Sequence, residues 1–122
     1  MPVTKHLSVQ LKGNEKCKSI HVGGDIISSR IKELSRMVES IEKAKCSRLI
    51  LDLTQVTFVD SYGLGAFVYY HTMLSKAGTE LLVAANGALK ETLTSCNLDK
   101  VLNIVDPFDL LADFPLDKTT EK

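Results

Sequence analysis

The sequence is poor in the features by which many proteins declare their chemistry. Neither sign of charge dominates: 15 Lys and Arg face 15 Asp and Glu in 122 residues, for a formal net charge of zero at pH 7. No overall field therefore draws the chain to nucleic acid or to an anionic membrane. Its apolar runs fall far short of the ~20 residues that span a bilayer, and its first residues lack the pattern of a signal peptide. The expectation is a cytoplasmic protein with no direct membrane insertion. The cysteines, Cys17, Cys46 and Cys96, are odd in number and form no C-x-x-C, which argues for neither a disulfide framework nor a zinc site. His6, His21 and His71 are scattered, no two standing four apart as a helix-borne metal pair would, and read as packing or surface residues. No metal or cofactor is expected. G-x-S-x-G and a lysine-bearing phosphate loop are both missing, and no nucleophile, base and oxyanion donor fall together, so the chain does not read as an enzyme. There is no internal repeat, low-complexity tract or linker.

What is present is an ordinary globular composition, 44% hydrophobic and 25% charged, enough for one soluble domain with a sizeable core. That domain is assigned to residues 1–114, with 115–122 as a polar, frayed tail. Its organising stretch is Leu49 to Gly65. The run Leu49 to Leu53 does not alternate, as expected of a strand covered on both faces. Val56, Phe58 and Val59 read as apolar anchors of a short loop. Asp60 and Ser61 then stand at the start of a helix, beside its free N–H groups and positive dipole end.

Before this stretch, Leu7, Val9 and Leu11 alternate with polar residues in a half-buried edge strand, His6 to Lys12. Gly13 and Asn14 supply a turn, and a second strand from Cys17 to Val22 completes a hairpin and leads into Gly23 and Gly24. Ile27, Ile31, Leu34, Val38 and Ile41 recur at helical spacing, with Ser28 or Ser29 as N-cap.

After it, the helix opened by Ser61 runs to about Ala77 and stops at Gly78, a residue suited to a left-handed C-cap. Thr79 to Ala85 reads as a buried strand. A short helix capped by Asn86 points Leu89, Leu93 and Cys96 inward, and Asn97 suits its left-handed end. Val101 to Val105 is the last strand. Asp106-Pro107 starts a final helix docked by Phe108, Leu111 and Phe114. The order ββαβαβαβα predicts an α/β fold, a mixed and mostly parallel sheet with an N-terminal β-hairpin and interspersed helices.

Asp52-Leu53-Thr54-x-Val56-x-Phe58-Val59-Asp60-Ser61-Tyr62-Gly63-Leu64-Gly65 resembles the signature of STAS domains of the anti-sigma factor antagonist family. Gly78-x-Glu80-Leu81 and Leu98-Asp99-Lys100-Val101-Leu102 are similar to later segments of that family, and the resemblance covers almost the whole chain, to Phe114. It implies a bacterial switch protein that binds an anti-sigma factor, itself a serine kinase, and so frees a sigma factor for transcription. Phosphorylation of a serine breaks that complex and a phosphatase restores it. The family's acceptor is the second serine of Asp-Ser-Ser-Gly-Leu-Gly, a position filled here by Tyr62, with Ser61 just before it. Three readings follow: Ser61 is an alternative acceptor, Tyr62 is itself modified, or this domain is not switched by phosphorylation. The alternative function is an accessory STAS domain for ligand sensing or for a membrane transport complex.

Helical geometry, at 3.6 residues per turn, adds a surface. Leu64, Phe67, Val68, His71 and Leu74 share one broad face, and Tyr62, Ala66, Tyr69 and Met73 the opposite one. An exposed stripe of tyrosines and a methionine suits a protein partner. The expected partner-binding residues are therefore Asp60, Ser61, Tyr62, Gly63, Ala66, Tyr69 and Met73, on a monomer or weak homodimer. The alternative is that the stripe packs against the final helix of the same chain.

Overall fold

The apolar alternation ending at Gly13 and the run beginning at Cys17 pair as the expected hairpin. The computed structural model describes residues 8–13, 16–85 and 87–106. β1 (Ser8–Gly13) lies antiparallel to β2 (Cys17–Ile26) at one edge of a single five-stranded sheet. β3 (Arg48–Val59), β4 (Glu80–Ala84) and β5 (Asn103–Val105) follow in spatial order, all parallel to β2. The connections carry α1 (Ile31–Ala44), α2 (Ser61–Lys76) and α3 (Gly87–Ser95). This is the mixed, mostly parallel α/β architecture that the pattern predicts. Asn86, the proposed helix at Pro107 to Phe114 and the tail 115–122 lie outside the described residues.

Two departures shape the site. The second strand does not stop at Val22 but runs through Gly23 and Gly24 to Ile26, and the expected loop after Leu53 is strand up to Val59. The two extensions pair with each other, Gly23 with Gln55, Gly24 with Val56, Asp25 with Phe58 and Ile26 with Val59. Register shifts at His21/Gly23 and Gly24/Asp25 mark bulges, which bend the ribbon where it passes beyond β4. Phe58 consequently faces outward, 54% exposed, and is no anchor, whereas Val56 and Val59 pack on the core.

The core explains the continuous run. Leu49, Leu51 and Leu53 join Ile20 and Val22 of β2 and Leu81 and Val83 of β4 on one face of the sheet, beneath Ile31, Leu34, Val38 and Ile41 of α1 and Phe67, Tyr70 and Leu74 of α2. Each such side chain contributes about 1.5–3 kcal/mol on burial. Ile50, between them, is buried on the other face with Ala84, beside Cys17, Leu82 and Val105. Both faces of β3 are covered, so alternation has no reason to appear.

Terminal chemistry is partly as expected. Gly78, with φ +87°, closes α2, its N–H donating to Ser75 O and that of Thr79 to Leu74 O, the paired bonds of a Schellman end. Asn97 is left-handed, φ 63°. Neither Ser28 nor Ser29 caps α1: a 3-10 turn over Ser28–Arg30 precedes it, with no side-chain cap bond, and the Ser28 N–H is taken by Asp60 instead. Cys96 is exposed, because the chain leaves α3 at Ser95. A 3-10 turn over Leu98–Lys100 shortens the last strand to Asn103–Val105 and leaves Val101 exposed.

Candidate functional site

The paired ends of β2 and β3 deliver Asp60 to a fixed place. Its main-chain N–H donates to Ile26 O at 3.1 Å, and its carbonyl accepts the Leu64 N–H at 3.0 Å. The carboxylate is used twice. Oδ1 accepts from the Gly63 N–H at 2.9 Å and caps α2, while Oδ2 accepts from the Ser28 N–H at 3.2 Å, at the turn before α1. One carboxylate thus ties the starts of two helices, where the dipoles favour a negative charge.

Gly63 is a packing point. A Cβ there would stand 2.7 Å from Val59 Cγ1, 2.9 Å from Ile26 Cγ2 and 3.1 Å from Ile26 O, so only glycine lets α2 lie this close to the strand ends. Gly63 is therefore buried, not a surface contact. Ser61 is exposed at the first helical position. Tyr62 and Tyr69 are 59% and 57% exposed and, seven residues apart, lie two turns above one another. Ala66 and Met73, expected in the same exposed stripe, are half-buried and packed against the core. The stripe narrows to the two tyrosines because α2 is embraced by both the sheet and α1.

Tyr70, which periodicity left unassigned, is 1% exposed. Its hydroxyl shares a 2.6 Å hydrogen bond with Ser35 Oγ of α1, and burial pushes its ionisation above the ordinary value. Its ring meets that of Tyr69 at 6.2 Å and 59°, an aromatic contact that steadies the exposed ring from beneath. Phe58 adds a third exposed aromatic just ahead of Asp60. Its place inside an apolar segment disguised it as an anchor.

A second polar group was not anticipated. The Ser19 hydroxyl lies 2.9 Å from His21 Nε2, and His21 Nδ1 lies 2.8 Å from Asp52 Oδ2. Asp52 Oδ1 accepts the Thr54 N–H at 3.0 Å and the Thr54 hydroxyl at 2.7 Å. The carboxylate can only accept, so Nδ1 donates to it, while Nε2 faces the Ser19 hydroxyl. Burial opposes ionisation of Asp52, but the bonds from Thr54 and His21 outweigh it and hold the carboxyl below its ordinary value. Ser19 is only 1% exposed, so the chain of bonds braces β2 against β3 and offers no reachable nucleophile. Among the described residues no group of three or more His, Cys, Asp or Glu is placed to hold a metal ion, and no helix is long and apolar enough to cross a membrane.

A family model for the STAS domain matches residues 8–110. The chain belongs to the STAS domain family. In this STAS domain Asp60 to Gly65 form the junction between β3 and α2. An anti-sigma F factor antagonist from Paenibacillus polymyxa is 29% identical over 72 residues, 58% of this chain and 62% of that relative, a little under two thirds of its length. Among solved structures, an anti-sigma factor antagonist from Mycobacterium paratuberculosis superposes with a TM-score of 0.79 at 21% identity, covering 92% of this chain and 97% of that one. The Bacillus cell fate determinant SpoIIAA in its phosphorylated form gives a TM-score of 0.66 at 11% identity, covering 86% and 97%. At such identities the structural matches establish the fold.

Proposed function

We propose that this STAS domain is an anti-sigma factor antagonist, a cytoplasmic binding module and not an enzyme. It engages a kinase-like anti-sigma factor through the head of α2 and so frees a sigma factor. The observation that carries this reading is the exposed pair Tyr62 and Tyr69 on a helix whose start is fixed by Asp60. Aromatic side chains of this kind lose little entropy on docking and dominate binding energy when buried by a partner. Asp60, Ser61 and Tyr62 form the platform with Tyr69, while Gly63, Ala66 and Met73 support it from below. The relative from Paenibacillus polymyxa, an anti-sigma F factor antagonist, supports the same class of partner.

Phosphorylation control rests on Ser61 or Tyr62. A phosphate on Ser61 would stand beside the Asp60 carboxylate, which already occupies the Gly63 N–H, so the added charge meets repulsion as well as the helix dipole. Tyr62 presents its hydroxyl on an exposed ring. A phosphatase has a substrate on this domain only if one of them is modified. The test is incubation with the cognate kinase and ATP, then mass spectrometry of the peptide spanning residues 60–64. Phosphate on Ser61 or Tyr62 makes the module switchable, and an unmodified peptide makes its binding constitutive. The antagonist reading itself is contradicted by failure to bind the anti-sigma factor at all.

A further inference from the structure

The zero net charge conceals an excess of cations at one end of the strands. β2 to β5 all begin at one end of the sheet, and α1 and α2 return to end there. That end carries Lys16 and Lys18 at the start of β2, Lys43 and Lys45 at the end of α1, Arg48 at the start of β3 and Lys76 in the last turn of α2, against Glu42 and Glu80. The opposite end carries Asp25, Asp60 and Asp106 beside Arg30 and Lys32. Lysines in a last helical turn complement the helix dipole, which accounts for Lys43 and Lys76. It does not account for Lys18, on a strand, or for the hollow beside it.

That hollow, between the start of β2 and the α1–β3 connection, has a volume of about 420 Å³ and is lined by Lys16, Lys18, Ala44, Lys45, Cys46 and Ser47. Its wall includes Lys18, Lys45 and the Ser47 hydroxyl, with no carboxylate among its lining residues. Among the described residues neither Lys18 nor Lys45 takes part in an ion pair, and Glu80, nearby in the register, is held by Arg48 at 2.7 Å. The surrounding carbonyls are engaged: Ile41 O and Glu42 O by the Lys45 N–H, Lys16 O by those of Ser47 and Arg48, Cys46 O by the Thr79 hydroxyl. Burial pushes the Cys46 thiol up, with Lys18 pulling the other way only in part, so the sulfur adds no competing negative charge. Lys18 and Lys45 thus stand at an opening with no counter-charge beside them among the described residues.

We propose that this cavity binds the phosphate group of a small phosphate-bearing ligand, with Lys18 and Lys45 as its charge-bearing donors and Ser47 as a neutral one. A tetrahedral dianion can take separate ammonium donors from several sides, each bond charge-assisted, where a planar carboxylate is better matched by a fork. The site is at the far end of the molecule from Asp60 and stands or falls independently of the anti-sigma reading.

The experiment is a titration of isotope-labelled protein, at fixed ionic strength against chloride, with inorganic phosphate and with glycerol 3-phosphate, followed by amide shifts. Vesicles of phosphatidylcholine with phosphatidylinositol 4-phosphate are tested separately by co-sedimentation. Saturable shifts centred on Lys18, Lys45 and Ser47 are expected. The Lys18→Gln/Lys45→Gln variant should bind at least about tenfold more weakly, with unchanged melting, and Lys32→Gln should bind as the unaltered protein does. Saturation by the soluble ester assigns the site to a free phosphate compound, and saturation by vesicles alone to a lipid headgroup. The proposal is overturned if neither saturates, if the shifts scatter over lysines remote from the cavity, or if the double variant binds as before.

Discussion

Replacing Asp60 by Ala removes the acceptor for two main-chain N–H groups at once, and the structure says how much each should matter. The bond to Gly63, at 2.9 Å, is an N-cap, whose loss costs about 1 kcal/mol. That to Ser28 is longer, 3.2 Å, and exposed, so about 0.5 kcal/mol is appropriate for it. The sum, about 1.5 kcal/mol, corresponds to a fall in melting temperature of about 5 °C for a domain of this size. Asp60→Asn separates the two bonds. The amide has a single acceptor oxygen, so one N–H keeps its partner while the other faces an NH₂ donor, and the loss should fall between zero and the alanine value. Urea unfolding followed by far-ultraviolet circular dichroism, with an unchanged m-value, measures both variants. A change below about 0.3 kcal/mol for Asp60→Ala, or equal losses for alanine and asparagine, would refute the double role of this carboxylate.

Two further outcomes follow from the same region and its neighbour. Gly63→Ala pushes a methyl to 2.7 Å from Val59 Cγ1 and should destabilise by about 1–3 kcal/mol; Gly65→Ala, with nothing within 4 Å, should gain about 0.5–1 kcal/mol in helix propensity. Equal effects of the two in denaturant titrations would show that the close approach of α2 to the strand ends is wrong. The folded-state pKa of Asp52 lies below its ordinary value, so its contribution to stability is present above the unfolded value of about 3.9 and fades as pH falls through the folded one. Asp52→Asn should therefore flatten the acid limb of the stability curve, and an identical acid limb in the variant would contradict the bonding described.

Much of the fold was legible because burial on both faces writes itself into Leu49 to Leu53 without alternation, and burial on one face writes Ile31, Leu34, Val38 and Ile41 at helical spacing. Gly78 and Asn97 were legible for a local reason, since few residues accept the left-handed conformation. The extension of β3 was not, because Thr54, Gln55 and Thr57 look like a loop until β2 is known to run on beside them. Pairing across the sheet is non-local and leaves no mark within one segment. The same holds for His21 and Asp52, 31 positions apart, and for the cavity walled by Lys18 and Lys45. On α2, apolar residues occur on every side, so periodicity could not mark Tyr70 as buried. Tyr62 and Tyr69 were correctly placed in water, whereas Ala66 and Met73 were not.

Tyr69→Ser tests most directly whether this exposed pair is a protein-binding surface. Its ring is 57% exposed and should matter little to the fold. The affinity for the cognate anti-sigma factor, by calorimetry, should fall by at least about tenfold, with melting unchanged. Unaltered affinity, or a loss that merely follows a large drop in melting temperature, would contradict the account.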